Sequence, residues 1–428
     1  MLEEKISGRL ALRENTRLSL PGDRLLQRSV DWSKQNLADS VQISRDLEIR
    51  ETNAGVKYPQ PEGKLDRMRF LGAGFPDYQW LFGTDGEFTA FASVTVGQFG
   101  PIKDHLRALR DVSEIDNNGS GKVVHEVVTD GSVFFGSNAD DGNTDETAKF
   151  PSAVALIWRW TGDDAFRDEM YGFTKRNMRY IFRELDEDGD LWPEGLGNVE
   201  REGMGEEKLD NTTSTIRGLY DLADMARSKG DRATAQWAER RGDAMMRRFE
   251  RDWWMPGIPQ HADSLDTPDN GANDNTRIQQ RHWIGATPME IELVRNGITV
   301  PGMTTRSHGN AALDLRETRC YTNKRFGLYH TGTPGCDPAQ SEVPAEKNVF
   351  TLNTAIMAVG EGNYGRLGED QQQAYTDANA NLQFEPDEQP GAMPEIAISD
   401  AGERSIDRPF NERPMVLQAW GAYGTIWP

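Results

Sequence analysis

Basic charge is scarce in this chain. Its 428 residues hold 48 Lys and Arg against 69 Asp and Glu, a net charge of −21. A nucleic-acid groove needs a basic face to neutralise phosphates, so DNA and RNA are not expected as partners. Cysteine is scarcer still. The two present, Cys320 and Cys336, make neither a disulfide framework nor a cysteine-built zinc site. The six histidines show no HxxH or HExxH spacing, which removes the common zinc patterns. No apolar run reaches the length of a bilayer span, and the opening MLEEKISGRL is too charged for a secretory signal. No membrane partner is expected, and a cytoplasmic location is. The nucleophile elbow GxSxG, the dinucleotide pattern GxGxxG and the P-loop are all missing, so neither cofactor nor metal is expected.

What the chain does have is enough apolar surface for a core. Apolar residues make up 36%, with 11 Trp and 17 Phe, which excludes disorder along the whole length. Leu26, Val30, Leu37 and Val41 stand at helical spacings, which predicts a first helix from Pro21 to about Asp46. Further amphipathic stretches lie near 85–97, 101–113, 146–161, 163–186, 211–228, 231–253, 286–295, 306–317, 348–361, 368–382 and 413–427. Long polar loops separate them. Twelve helices joined this way predict six helical hairpins closed into a toroid over residues 21–428, with 1–20 as an approach segment. Strand signals are weak. VVHEVV (123–128) and GSVFFG (131–136), joined by a Thr-Asp-Gly turn, predict one small β-hairpin on an all-α body.

Six clusters set aromatic rings beside carboxylates, a combination that suits sugars. Ring faces stack on C–H faces, and hydroxyls donate to Asp and Glu. GFPDYQWLFGTDGEF (74–88) supplies Tyr78, Trp80, Phe82 and Asp85 before a helix, although Asp85 also fits a helix N-cap. GKVVHE (121–126) adds His125 and Glu126. NTDETAKF (143–150) adds Asp145 and Glu146, which a helix dipole favours in a first turn in any case. DEDGDLWPEGLGNVEREGMGEEKLDN (186–211) is dense in acids around Trp192. Its DEDGD segment offers oxygen ligands, but the bidentate Glu of an EF-hand is not matched. QQRHWIGATPMEIEL (279–293) and RFGLYHTG (325–332) supply His282, Trp283, Glu290 and His330. EQPGAMPEI (388–396) places Glu395 on a Gly/Pro loop, and the last segment supplies Gln418 and Trp420.

The order of these clusters resembles the catalytic domain of the glycogen-debranching, or amylo-α-1,6-glucosidase, group of glycoside hydrolases. That group belongs to the (α/α)6-barrel set with the glucoamylases and trehalases. The resemblance covers roughly 74–428 and rests on GTDGEF, EEKLDN followed by a helix, MPEI and the terminal LQAW. It implies a general acid at Asp210, a general base at Glu395, and Gln418-Ala419-Trp420 on the last element. Lys208 stands where the group usually has Trp. The DLWPEG stretch resembles the acid-bearing segment of glucoamylases, which makes Glu194 the rival acid, with Glu206 and Glu207 behind it. The β-sandwich that often precedes such barrels is not expected within this sequence.

The chemistry needs one carboxyl protonated near neutral pH and one ionised to activate water. The resemblance implies inversion, with the pair held about 6.5–9.5 Å apart. The expected activity is therefore release of a sugar, foremost glucose from an α-glucoside. The alternatives are an α-rhamnosidase or trehalase-like enzyme, a non-catalytic carbohydrate-binding barrel, and an epimerase built on His282 and His330.

Overall fold

Helices that pack on every side need apolar or small residues throughout, whereas helices that pack on one side need only a stripe. Both kinds occur here, in alternation. The computed structural model describes residues 2–52, 59–139, 144–201, 203–266, 275–336, 346–384, 391–397 and 417–428. Among them are α1 (Leu2–Asn15), α2 (Arg24–Asp39), α3 (Gly83–Thr95), α4 (Phe99–Asp116), α5 (Thr144–Thr161), α6 (Asp164–Glu184) and α7 (Leu209–Lys229). There follow α8 (Arg232–Trp253), α9 (Thr287–Glu290), α10 (Arg306–Arg316), α11 (Thr351–Asn363), α12 (Gln372–Phe384) and α13 (Gly421–Ile426).

In α3 every residue from Gly83 to Val94 is buried, and in α11 every residue from Thr351 to Glu361. In α8 the buried residues recur as Ala235, Ala238, Gly242, Met245, Phe249 and Asp252, the three-and-four spacing of a single face. The packing follows. α3 rests on α5, α5 on α7, α7 on α9, α9 on α11, α11 on α13, and α13 back on α3. That closes an inner ring of six. Outside it, α4 covers α3 and α5, α6 covers α5 and α7, α8 covers α7, α12 covers α11 and α13, and α2 covers α13. With α10 behind the turn Trp283–Ala286, the fold is an (α/α)6 toroid. Each full-sized apolar side chain buried between the rings contributes about 1.5–3 kcal/mol. Local signals mark the hairpins. α7 stops at Gly230, whose φ of 76° is strained for any side chain, and Asp231 then caps α8 by accepting from the N–H of Thr234.

The sheet content exceeds one hairpin. β1 (Val41–Glu51) and β2 (Gly63–Leu71) pair antiparallel; β3 (Gly74–Phe75) and β4 (Leu81–Phe82) follow. β5 (Glu126–Val127) and β6 (Ser132–Phe134) form the predicted hairpin, and the order β2-β1-β6-β5-β4 makes one five-stranded sheet. β4 leads directly into α3, so this sheet sits at the rim of the inner ring.

Three sequence expectations are corrected. The helix expected to reach Asp46 ends at Asp39, and Val41 opens β1. A spacing of four fits a two-residue strand period as well as a helical one, so Val41 satisfied both. The helix expected over 286–295 is short and gives way to a hairpin, Glu292–Arg295 on Ile298–Pro301. Its turn is Asn296-Gly297, both at positive φ, the commonest signature of a tight β-turn. In the last stretch, Leu417–Gln418 pairs with β3, and α13 begins only at Gly421; residues 413–416 lie outside the described set. Within the expected approach segment, residues 2–15 form α1 and pack on α2, which leaves that expectation standing. Among the described residues no helix is long and apolar enough to cross a membrane.

Candidate functional site

The inner helices begin at one end of the ring, and acids crowd their first turns. Asp85 opens α3, Asp145 and Glu146 open α5, Asp210 opens α7 and Glu290 closes the short α9. Exposed N–H groups and the helix dipole favour anions there. The rims touch: Thr84 donates to Asp145, and Thr213 lies 3.4 Å from Thr287. Lys149, one turn into α5, donates to Asp145 at 2.8 Å and offsets the crowd. Beneath this rim, Glu87, Lys149, Arg217 and Glu290 line a cavity of about 30 Å³ inside the ring.

Above the rim opens a cleft of about 350 Å³. One wall is aromatic. Trp80 and Phe82 lie parallel, 6.3 Å apart, and Tyr78 meets both edge-on at 5.7 and 5.8 Å. Phe135 completes that side, held at a φ of 60° at the end of β6. The other side is polar: Asp85, His125, Glu126, Glu200, Glu395 and Gln418. The sheet explains part of this convergence, because Phe82 stands opposite Glu126, and Glu126 opposite Phe134. Glu395 is placed by backbone pairing. Its carbonyl accepts from Thr351, Ile396 pairs with Phe350, and the neighbouring Met393 accepts from the N–H of Gln418. Gln418 in turn donates its Nε2 to Asp85 at 2.7 Å.

Burial shapes the charges. It pushes Glu395 up to about 7, with Glu200 adding to the rise, and Glu126 up to about 7. It raises Asp85 well above the usual range, helped by Glu395. For His125 burial opposes charge, yet Glu146, 2.5 Å from Nδ1, outweighs it and lifts the imidazole to about 10. Asp210 is raised by burial against the pull of Lys149.

The expected site residues divide. Tyr78, Trp80, Phe82, Asp85, His125, Glu126, Glu395 and Gln418 share the cleft. Asp145 and Glu146 lie just behind it, through Thr84 and His125. The others do not line it. Trp192 is wholly buried, edge-on to Trp253 at 5.9 Å, and Trp283 and Trp420 are core residues. A Trp after a turn is as useful for packing as for stacking. Lys208 turns its ammonium to the carbonyls of Gly205 and Glu206. Glu290 accepts from Tyr423 at 2.7 Å in the inner cavity. His282 is held by Thr331 and Gln280, and His330 sits 2.9 Å from Glu346. Burial lowers the pKa of both imidazoles. Glu194 accepts the N–H groups of Glu187 and Asp188, within its own loop. Asp210 is buried under that loop: Oδ2 accepts from Asn198 at 2.7 Å and Oδ1 has no partner. Glu200 and Phe135 were missed. Glu200 was one acid among many in its stretch, and only the path of the α6–α7 connection brings it to the cleft.

No protein-family model matches this chain, and no curated protein sequence does. Solved structures do. A bacterial glucoamylase complexed with acarbose matches at a TM-score of 0.55 and 15% identity, over 94% of this chain and 54% of that one. A GH63 mannosylglycerate hydrolase from Thermus thermophilus, in complex with glucose, matches at 0.60 and 11%, over 95% and 99%. A GH78 rhamnosidase of Bacillus sp. GL1 matches at 0.60 and 13%, over 95% and 35%. The chain thus spans about half of the glucoamylase and about a third of the rhamnosidase, and nearly all of the mannosylglycerate hydrolase. At these identities the likeness establishes the (α/α)6 fold.

Proposed function

We propose that this chain is a glycoside hydrolase. The observation that carries the reading is the meeting of Glu395 and Glu200, nearly 200 positions apart, in one aromatic-walled cleft at the rim of an (α/α)6 ring. A sugar stacks its C–H face on Trp80 and Phe82 and engages its hydroxyls with the Asp85–Gln418 pair. Glu395 is the general base. A carboxyl near 7 is poised to take a proton from water at neutral pH. The leaving oxygen is protonated by a carboxyl of the α6–α7 connection. Glu200 is the first candidate, because it lines the cleft. Asp210 is the second, because burial raises its carboxyl and leaves one oxygen without a partner. Water attacking from the Glu395 side gives inversion.

The cleft, about 350 Å³, is at the small end of ligand sites, which run from about 300 to 1,000 Å³, so a short glycoside fits better than a polymer. Among such substrates an α-glucoside is preferred. In support, similar structures carry glucose and acarbose. The test is a panel of α-glucosides, rhamnosides and glucosylated small acids, with released sugar measured by chromatography and its first anomer by proton NMR. Free glucose of inverted configuration is the expected product. Rhamnose release alone would transfer the reading to rhamnosides. No release from any member, with retained sugar binding, would make this a carbohydrate-binding barrel.

A further inference from the structure

The connection between α6 and α7 starts with acids at alternate positions, Asp186, Asp188 and Asp190, whose carboxylate oxygens lie within 4.8 Å of one another. Asp188 also stands within 4.8 Å of oxygens of Glu207 and Asp266. The last two come from elsewhere: β7 (Glu207–Lys208) and the end of β8 (Ser264–Leu265), which pair antiparallel. Glu207 is the telling member. Its side chain is wholly buried, and neither carboxylate oxygen has a hydrogen-bond partner. An isolated buried carboxylate is strongly unfavourable unless a cation meets it. Lys208, next to it, is turned to backbone carbonyls, and Arg248 is engaged by Asp190 and Asp252 at 3.1 and 2.8 Å.

We propose that Asp188, Glu207 and Asp266 form a site for calcium, with Asp186 and Asp190 beside Asp188. Calcium takes six to eight oxygens at about 2.3–2.6 Å, so ligands on opposite sides of one ion stand about 4.6–5.2 Å apart. The oxygens of Asp188, Glu207 and Asp266, all within 4.8 Å of one another, meet that requirement. Magnesium demands a tighter octahedron and keeps its waters, which a set of converging carboxylates suits less well. The alternating aspartates repeat the first half of an EF-hand loop, but Gly197 occupies the twelfth position, where the closing Glu belongs. Here the fold supplies that closing carboxylate from β7 instead. The ion would join the two ends of the connection that carries Glu200, a structural role that stands whatever chemistry the cleft performs.

The experiment uses the full chain stripped with EGTA and desalted, titrated with calcium chloride alone in a calorimeter and melted with calcium or magnesium. One calcium per chain is expected, with a rise in Tm of about 5 °C at saturation and a smaller rise with magnesium. Glu207→Gln and Asp188→Asn should each lose the calcium-induced rise while their far-UV spectra stay helical. Asp188 is exposed, so its variant decides the matter if Glu207→Gln does not fold. Absence of binding at about 5 mM calcium, or wild-type affinity in Asp188→Asn, overturns the proposal.

Discussion

Gln418 donates its Nε2 to Oδ1 of Asp85 at 2.7 Å, across 333 positions of sequence. The bond joins the start of α3 to the segment entering α13, the two ends of the inner ring. It therefore closes the ring and presets Asp85 in the cleft. Gln418→Leu leaves a buried Asp85 oxygen without its donor, which should cost about 1–3 kcal/mol in denaturant melts. The same change should raise KM for the released-sugar substrate. An unchanged KM would separate the ring contact from sugar binding.

Trp192 and Trp80 should respond in opposite ways. Trp192 is fully buried against Trp253, so Trp192→Ala should lose about 3–5 kcal/mol of stability. Trp80 is partly exposed in the cleft, so Trp80→Ala should melt near the wild type and bind sugar more weakly. Melts and a binding titration on both variants check this directly.

The His125–Glu146 pair predicts a pH dependence of stability. In the folded chain the His125 imidazole lies at about 10, above its ordinary value of about 6.5. A folded value above the unfolded one gives stability that is complete below about 6.5 and is lost as pH rises toward 10. His125→Gln should therefore be destabilised most at pH 6, and the difference from wild type should shrink by pH 10. A difference that grows with pH would show that the pair is not an ion pair.

The pH–rate profile should carry Glu395. As the base it must be ionised, so kcat/KM should fall tenfold per unit of pH below about 7. Burial is the main cause of that value and Glu200 the second. Glu200 raises Glu395 only while it is itself ionised, so in Glu200→Gln the acid limb should move to lower pH if Glu200 is ionised in the free protein and stay in place if Glu200 holds the acid's proton. A limb that moves upward fits neither state and would show that Glu200 does not act on Glu395 through its charge.

How much of this was legible in the sequence follows from periodicity. Outer helices such as α8 announce themselves by one apolar stripe, and Asp231 and Gly230 mark their ends. Asp85, His125, Glu126, Glu395 and Gln418 were also recognisable, since Glu395 follows Pro394, Gln418 stands two before Trp420, and Asp85, His125 and Glu126 lie near element starts within short aromatic-rich stretches. The β1–β2 ribbon was not, because Val41 fits two periods. The Asn296-Gly297 pair is a hairpin signal that adjoins the helical pattern expected over 286–295 and contradicts its extent. Glu200 could not be singled out. Its neighbours Glu194 and Glu207 have the same side chain, and only tertiary pairing turns one to the cleft, one into its loop and one inward.

The identity of the acid is the sharpest remaining prediction, because its two candidates differ in exposure. Glu200 is exposed at the cleft, so Glu200→Gln should leave the melting temperature within about 1 °C of wild type. Asp210 is buried, accepts from Asn198 and lies in the electrostatic reach of Lys149, so Asp210→Asn disturbs both. If Glu200 is the acid, Glu200→Gln should lose about 10²–10⁴ in kcat on natural glycosides. An activated leaving group, which needs no proton, should restore most of that loss. Glu395→Gln should not be rescued in this way, since its water remains unactivated with either substrate. Asp210→Asn should then show a stability loss with a kcat deficit that the leaving group does not repair. The reverse pattern, rescue of Asp210→Asn and near-normal turnover of Glu200→Gln, would require the loop over Asp210 at Gly197 and Asn198 to open during turnover. It would move the acid to Asp210.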